Sequence, residues 1–509
     1  MTSRQGTSIQ GWAAAAVLAL LWGVGPALPA LFGGDLIGHP YTDLYPSVWG
    51  LWEFARSQPD LHIHTELLGF PDGLGYYYSS PIKGWVAAGL MPLVGLTATW
   101  NLLTVLARVA TVVCAFGAAR AWGLSAPGAL TVAGAWGCAP FFHGYAVEGI
   151  VEGTDGWTLA LWAWAAGHRR PLAAAFALGL TILSSWYLGA VGCLLALLSV
   201  LRDRRMLLSL GGGLLLAAPA IGLFLFAFPA SPPLPDDIRA AMGATLRVPA
   251  PGIRDGLQPF AINAYIGWLL AGTAAVALWN KADRPLIALA AVPAVLSLGI
   301  GPWYQLPVLE MLRFPYRWHA ATLALLALAA GRVADRRRWW WLGPLIALEG
   351  LLLSPVEPLL PGADPTVPAI YQRVDGPLVE APGPVTVPPG EVNHSRPRAR
   401  YLLYFQTMHG QPSPWVLDFN GLGDAQQAPH LSGLRGFDRL EDAGETWETA
   451  TVDIQALHDA GIEWMMIQHS QSHTLGSKRA RRLRALLEDA GATVEQEDDQ
   501  RWLIRLPLR

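Results

Sequence analysis

Long apolar runs separated by short arginine-rich clusters dominate the first two thirds of the chain. Several runs approach the length of about 20 residues that a membrane helix needs. The clusters between them are HRR at 168–170, RDRR at 202–205, NKADR at 280–284 and DRRR at 335–338. Of the 509 residues, 52% are hydrophobic and only 14% are charged, whereas soluble domains carry about 25% charged residues. We therefore predict a polytopic helical membrane protein, and the net charge of −3 argues against a nucleic-acid partner.

The basic clusters also predict the orientation of the spans, because Lys and Arg near helix ends stay preferentially in the cytoplasm. With Arg4 and all four clusters inside, the pattern gives about eleven spans. The N-terminus is then cytoplasmic and the C-terminus extracytoplasmic, in the inner or plasma membrane. The first span, about residues 12–31, outlines a signal peptide but is longer than one and is followed by further spans, so we interpret it as uncleaved.

The later apolar segments differ in how clearly they predict membrane spans. Helices are expected at about residues 97–121, 126–142, 157–167 and 206–228, and as pairs at 261–279 with 286–301 and 316–333 with 339–354. Ile82–Leu96 is short and interrupted by Gly and Pro, which favours a re-entrant or interfacial segment. Pro171–Leu201 lies between two cytoplasmic clusters. It fits two short helices joined at SSWY, and a single bent core helix is the alternative.

The composition changes after Ser354, where a proline-rich linker precedes a polar C-terminal region. DIQALHDAG before IEWMMIQHS, and SKRARRLRALLEDAG before ATVEQE and RWLIRLPL, alternate helical with strand patterns. We therefore predict a transmembrane domain over residues 1–354 and a small extracytoplasmic α/β domain over residues 355–509. The sequence has no GxGxxG after a strand and no Walker A motif, so no nucleotide cofactor is expected.

Residues 34–80 form a loop far longer than packed helices need for their connection, which favours a functional role. In the predicted topology two further loops share its extracytoplasmic side. Carboxylates can accept a proton from an attacking hydroxyl or bind a divalent metal, and arginine forks bind phosphate. The three loops together predict a site that activates a hydroxyl and holds a phosphate. The candidate residues are Asp35 and Asp43 in the first loop; His143, Glu148, Glu152 and Asp155 in the second; and Glu310, Arg313 and Arg317 in the last.

The acidic candidates also have structural interpretations. Asp35 follows the first helix and would fit a helix cap or a solvated loop position. Asp43 lies in HPYTDLYP, a segment densely marked by Pro and Tyr. Glu148 and Glu152 are spaced i,i+4, so on one helix face they would repel each other unless a cation lay between them.

The basic candidates and the histidines are equally open to two interpretations. Arg313 and Arg317 would also fit interfacial anchors whose charged ends reach the headgroups. Pro315 between them disfavours a regular helix there. His62 and His64 alternate as on a strand, but no third ligand follows at a diagnostic spacing, so a zinc site is not expected.

Several stretches of the sequence resemble the GT-C glycosyltransferases, which are integral membrane enzymes that take sugars from polyprenyl-phosphate donors. The resemblance covers nearly the whole chain. The stretches are HPYTDLYPSVWGLWEF, GFPDGLGYYYSSP, NLLTVLARVATVVCAFGAARAWG, HGYAVEGIVEGTDGW and MLRFPYRWHAATLALLALAAGR in the apolar part, and YFQTMHGQP and DAGIEWMMI in the C-terminal part.

The resemblance implies transfer of a sugar from a lipid-linked donor to a glycan, lipid or protein acceptor of the cell envelope. It implies catalytic roles for Asp43 and, second, Asp35; donor-phosphate binding by Arg313, Arg317 and His143; and a divalent cation, Mg²⁺ or Mn²⁺, at Glu148 and Glu152. The sequence lacks the paired Asp-Glu of protein mannosyltransferases and the WWD-type signature of oligosaccharyltransferases. The acceptor therefore stays open.

The alternative function is that of a non-catalytic membrane protein, such as a transporter or flippase of lipid-linked saccharides. Transporters typically show inverted repeats and ionisable residues in the middle of spans. Here no clear repeat is visible, and the charges lie at the edges of loops. This pattern favours an enzyme whose site faces the membrane surface.

Overall fold

The computed structural model describes residues 2–40, 42–57, 64–75, 78–201, 203–227, 265–298, 315–381, 400–414, 452–469 and 477–507. The chain forms two compact units. Unit 1 comprises Met1–Ser47, Tyr78–Gly222 and Pro233–Pro365, and unit 2 comprises Val48–Tyr77, Leu223–Pro232 and Thr366–Arg509. Much of the long loop over residues 34–80 belongs to unit 2, and the domain division predicted at residue 354 stays a prediction.

The chain up to Leu353 is mainly helical where it is described. Its helices are α1 (Thr2–Gly23), α2 (Leu28–Gly33), α3 (Leu44–Arg56), α4 (Pro81–Val94), α5 (Leu96–Ala121), α6 (Ala126–Val132), α7 (Pro140–Val147), α8 (Gly156–Gly167), α9 (Pro171–Ser184), α10 (Trp186–Val200), α11 (Met206–Ala227), α12 (Trp268–Ala277), α13 (Arg284–Ser297), α14 (His319–Arg337) and α15 (Leu342–Leu353). Short 3-10 turns over Gly25–Ala27, Val151–Thr154 and Pro315–Trp318 and a π segment over Ala133–Gly137 connect some of them.

The helices identify a membrane protein. Among the described residues, Ile9–Gly33, Leu96–Ala121 and Met206–Leu223 are long and apolar enough to cross a membrane. Large apolar side chains on them face outward: Phe32 is 86% exposed and Leu215 is 75% exposed, as lipid-facing positions require. Six shorter helices are also apolar. The total of about eleven spans and the sidedness stay predictions.

Ser185 divides the segment over residues 171–201 into α9 and α10, as the SSWY turn predicted. Its backbone is extended, and its hydroxyl accepts a hydrogen bond from the Leu188 N–H at 3.2 Å. This caps the start of α10. The alternative of a single bent helix is therefore wrong.

The expected helix over residues 126–142 is interrupted. α6 ends at Val132, the π segment follows, and α7 begins at Pro140, which has no N–H to continue a helix. The π segment approaches α15 closely, since a Cβ on Gly134 would lie 2.1 Å from the Gly343 carbonyl oxygen. This contact between distant segments accounts for a break that the local apolar pattern does not show.

Two short antiparallel ladders involve the first loop. In unit 1, β1 (Leu36–Ile37) pairs with β4 (Gly362–Ala363). In unit 2, β2 (His64–Thr65) pairs with β3 (Leu74–Gly75). The β1–β4 ladder fixes the start of the loop within unit 1.

Unit 2 contains a mixed four-stranded sheet with strand order β5 (Leu378–Ala381), β6 (Trp464–Gln468), β8 (Arg501–Arg505) and β7 (Thr493–Glu497). β5 is parallel to β6, and the other pairs are antiparallel. Its described helices are α16 (Arg400–His409), α17 (Ile454–Asp459) and α18 (Ser477–Asp489). α17 precedes β6, and α18 precedes β7 and β8, in the order that the sequence indicated. Leu483 and Leu487 of α18 are fully buried in the core with β6.

Candidate functional site

Two adjacent side chains near the start of α5 hold the backbone of the first loop. The Asn101 amide accepts the Ile37 N–H at 2.8 Å and donates to the Asp35 carbonyl at 2.7 Å. The Trp100 indole N–H donates to the Ile37 carbonyl at 2.8 Å. An asparagine suits this position because its amide can donate and accept at once. The chain leading to Asp43 is thereby fixed to the longest helix.

The next residues of the loop attach to the C-terminal end of α7. The His39 N–H donates to the Val147 carbonyl at 2.7 Å. The Thr42 hydroxyl lies 2.6 Å from the Glu148 carbonyl oxygen. These bonds place Asp43, the first choice for a catalytic base, directly before α3, where its side chain is half-buried.

Glu148 and Glu152 do not lie on one helix. Glu148 follows the end of α7, Gly149 adopts a left-handed conformation with φ of 66°, and Glu152 lies in the Val151–Thr154 turn. A Cβ on Gly149 would lie 2.7 Å from the Leu44 Cα, so this position requires glycine. Glu148 is fully buried, whereas the Glu152 side chain is 16% exposed. The helical arrangement under which the two acids would share a face is therefore absent.

The turn before α14, which carries Tyr316 and Arg317, lies near the predicted acids of the first and second loops. Glu152 faces Arg317 at 3.7 Å, and the charges of Glu148, Asp43 and Glu152 act on Tyr316. The structure thus groups acids from the first and second loops beside the turn that carries Arg317.

Arg317 contacts Tyr187 with the face of its guanidinium group and Glu152 with the edge of that group. Its guanidinium carbon lies 3.1 Å from the centroid of the Tyr187 ring, and its Nη2 lies 3.7 Å from a carboxylate oxygen of Glu152. The other Glu152 oxygen accepts the Ser79 hydroxyl at 3.2 Å. Guanidinium N–H groups lie in the plane of the group, so stacking on Tyr187 does not use them. This arrangement suits a phosphate.

Two of the remaining predicted residues, Asp35 and His143, have other surroundings. The Asp35 carboxylate packs beside β4, because a Cβ on Gly362 would lie 2.4 Å from its Oδ2. The His143 ring nitrogens lie 2.8 Å from Arg108 Nη1 and 2.6 Å from the Glu357 carbonyl oxygen. Arg313 lies outside the described residues. The roles assigned to these three stay predictions.

Sequence reasoning assigned no role to Tyr187, Tyr316 or Lys83. Lys83 is 7% exposed and forms an ion pair with Asp155 at 3.2 Å. A lone lysine in an apolar segment is itself a signal, since membrane segments rarely contain charge without a use for it. Tyr316 directly precedes Arg317 in the sequence, but the proximity of Tyr187 to Arg317 depends on the fold.

The metal predicted at Glu148 and Glu152 has no complete donor set in the described part of the chain. No group of three or more His, Cys, Asp or Glu side chains among these residues could hold a metal ion. Glu152 is already engaged by Arg317 and Ser79. The divalent cation therefore stays a prediction.

Comparison with known proteins bears on the fold. No protein-family model matches the sequence, and no curated protein matches it either. Among solved structures, the cryo-EM structure of the arabinofuranosyltransferase AftD from Mycobacteria matches 98% of this chain with a TM-score of 0.63 and 16% sequence identity. The chain shares the fold of AftD. This confirms, at the level of the fold, the resemblance to GT-C glycosyltransferases.

The extent of the match differs between structures. The chain spans 40% of the length of AftD. ArnT from Cupriavidus metallidurans, in a crystal structure bound to undecaprenyl phosphate, matches over 98% of this chain and 97% of its own at 15% identity, but with a TM-score of 0.42. The oligosaccharyltransferase of Archaeoglobus fulgidus matches 90% of this chain and 69% of its own at 12% identity, with a TM-score of 0.49. Scores below 0.5 do not establish a shared fold.

Proposed function

We propose that this protein is a membrane glycosyltransferase of the GT-C type. It moves a hexosyl or pentosyl group from a polyprenyl-phosphate-linked donor to an extracytoplasmic acceptor, a glycan or lipid of the cell envelope. The observation that carries the proposal is the grouping of Asp43, Glu148 and Glu152 with Arg317 around Tyr316, within a fold shared with a glycosyltransferase.

The proposed reaction is an inverting displacement. Asp43 accepts the proton of the acceptor hydroxyl, whose oxygen forms a bond to the anomeric carbon of the donor. The bond from that carbon to the phosphate oxygen breaks, and its electron pair leaves with the lipid phosphate. The edge of the Arg317 guanidinium binds that phosphate as its negative charge increases. The products are the glycosylated acceptor and a polyprenyl phosphate, so no nucleotide is needed.

The charges around Arg317 fit a reversible hold on an anion. Glu152 pairs with Arg317 through one oxygen at a distance of 3.7 Å, which is longer than a charge-assisted hydrogen bond. A lipid phosphate can therefore compete with Glu152 for Arg317, whose plane is fixed by Tyr187.

The test is transfer by the purified full-length protein in detergent. Synthetic polyprenyl phosphates carrying a pentose or a hexose are incubated with the protein and a crude cell-envelope extract, and release of the free polyprenyl phosphate is measured by mass spectrometry. We expect release from at least one donor, and loss of that release with Asp43→Asn. A folded protein that moves labelled donor across vesicle membranes without breaking its glycosyl bond would instead support the flippase alternative.

A further inference from the structure

Lys83 is a buried cation in the first turn of α4, where it reaches three acceptors on the second loop. Its ammonium donates to the Val151 carbonyl at 2.8 Å and to the Thr154 hydroxyl, and it lies 3.2 Å from the Asp155 carboxylate. These residues begin, end and follow the Val151–Thr154 turn. One lysine therefore fixes the whole turn that carries Glu152.

Asp155 is as buried as Lys83 and is fully engaged. Its side chain is 1% exposed, and it accepts hydrogen bonds from the Ser80 hydroxyl at 3.2 Å and the Trp157 indole at 3.0 Å. Burial of a charge pair is costly, and a merely stabilising role is served as well by apolar residues. The Lys83–Asp155 pair is thus better explained by a need to hold the Val151–Thr154 turn in one conformation.

That geometry extends directly to the phosphate-binding arginine. Ser79, next to Ser80, donates to Glu152 at 3.2 Å, and the other oxygen of Glu152 faces Arg317. The segment over residues 79–83 therefore contacts the Glu152 side chain through Ser79, and the Val151 carbonyl and the Thr154 hydroxyl on either side of Glu152 through Lys83.

We propose that Lys83 and Asp155 are positioning residues for donor binding: they lock the Val151–Thr154 turn so that Glu152 sets the orientation of Arg317 toward the lipid phosphate. The inference rests on the proposed function and deepens it. Lys83 and Asp155 do not need to touch the donor. Their effect is transmitted through Glu152, and Ser79 supplies a parallel restraint on the same carboxylate.

A second ion pair in the same unit, with an equally buried carboxylate but more exposed arginines, provides the control. Asp283 is also 1% exposed and lies 3.2 Å from Arg332, with Arg336 at 2.6 Å. It joins the residue before α13 to the C-terminal part of α14. Neutralising Asp283 therefore removes a comparable buried charge without touching the turn that carries Glu152.

The experiment measures binding of decaprenyl phosphate to the full-length protein in detergent micelles, by native mass spectrometry. The variants are Lys83→Met, Lys83→Arg, Asp155→Asn, Ser79→Ala and Asp283→Asn, each checked by its thermal midpoint. We expect Lys83→Met and Asp155→Asn to weaken binding by about tenfold or more and Ser79→Ala by about threefold. Lys83→Arg, which keeps the charge, should retain most of the affinity, and Asp283→Asn should bind like the wild type.

The outcomes separate the two proposals. Absence of binding by the wild type overturns the proposed function and, with it, this inference. Wild-type binding that is unchanged in Lys83→Met, Asp155→Asn and Ser79→Ala overturns the inference alone. Should the charge variants fail to fold, Ser79→Ala decides, because it removes one hydroxyl and leaves the buried pair intact.

Discussion

Arg317 lies over the ring of Tyr187, with its guanidinium carbon 3.1 Å from the ring centroid. The contact joins the turn before α14 to the first turn of α10. A desolvated cation–π contact stabilises by about 2 kcal/mol, and it also fixes the plane of the guanidinium. The orientation of Arg317 is thus set by residues far apart in the sequence, before any donor arrives.

Arg317→Lys should weaken donor binding although it keeps the charge. Lysine cannot stack as a plane or offer a forked edge to a phosphate. We expect the KM for the lipid-linked donor to rise by about tenfold or more, with a smaller change in kcat, since bidentate contacts to a charged group contribute about 1.5–3 kcal/mol. Exposed Arg204, changed to Lys, is the control and should leave both constants unchanged. An unaltered KM in Arg317→Lys would remove Arg317 from the donor site.

Gly153→Ala should disturb the turn that carries Glu152. A Cβ at this position would lie 1.8 Å from Cδ1 of Tyr145, which is itself 2% exposed and cannot move aside freely. We expect a loss of stability of about 1–3 kcal/mol, measured as a lower thermal midpoint, together with reduced transfer. Gly89→Ala in α4 is the control, because nothing lies within 4 Å of its added Cβ. Equal midpoints for the two variants would contradict this account of the turn.

Arg108→Met should destabilise the transmembrane helices. Arg108 lies inside α5 and is 3% exposed, so the expectation that the charges lie at the edges of loops is wrong for this residue. Pro26 has no N–H, so the Trp22 carbonyl at the end of α1 lacks its helical donor, and Arg108 Nη2 supplies one at 2.5 Å. Arg108 also lies 2.8 Å from His143. Each buried group left without a partner costs about 1–3 kcal/mol.

The measurement for this variant is thermal unfolding in detergent, with Arg120→Met on the same helix as the control. Arg120 is only partly buried and donates to the Leu124 carbonyl at 2.8 Å near the end of α5. Arg120→Met should therefore lower the thermal midpoint by less than Arg108→Met. Adding Pro26→Ala to Arg108→Met restores an N–H and should recover part of the loss. No difference between the two Arg→Met variants would show that the Trp22 carbonyl does not depend on Arg108.

Glu380 should make unit 2 less stable as the pH rises. Burial raises the pKa of Glu380 to about 7, against the opposing effects of Tyr371 and Arg501. The folded state therefore holds this proton more tightly than the unfolded chain. Its stabilising contribution is complete below about pH 4.5 and is lost as the pH rises through about 7. The full loss amounts to about 3 kcal/mol.

The test compares wild type with Glu380→Gln, which stays neutral. The variant's midpoint should match that of the wild type at pH 5 and exceed it at pH 8. Differences between variants are needed because burial lowers the pKa of His409 to about 4, which acts in the opposite direction as the pH falls. Exposed Glu495, changed to Gln, should show the same small difference at both pH values. A constant difference for Glu380→Gln would contradict its titration near neutral pH.

The helical pattern could be predicted where apolar runs are bounded by local signals. Pro171 and Ser185 mark the starts of α9 and α10 in the sequence, and the structure has both helices. The π segment at Ala133–Gly137 could not be predicted, because it accompanies the close approach of Gly134 to Gly343. Such a contact depends on the fold and produces no periodic pattern in the sequence.

The candidate site could be predicted in part. The assignment of loops to one membrane side brought Asp43, Glu148, Glu152 and Arg317 into consideration together. Topology gives no distances, however, so the stacking of Arg317 on Tyr187 had no sequence signal.

We propose that Asp43 is the base of a glycosyl transfer. The most direct measurement is analysis of cell-envelope glycans and lipids by mass spectrometry in the native host. The deletion strain is complemented with wild type, Asp43→Asn or Asp43→Glu, each at matched expression. The account predicts that the deletion removes a sugar from at least one envelope component, and that wild type restores it. Asp43→Asn should leave it missing, because an amide cannot accept the acceptor proton. Full restoration by Asp43→Asn would contradict the claim.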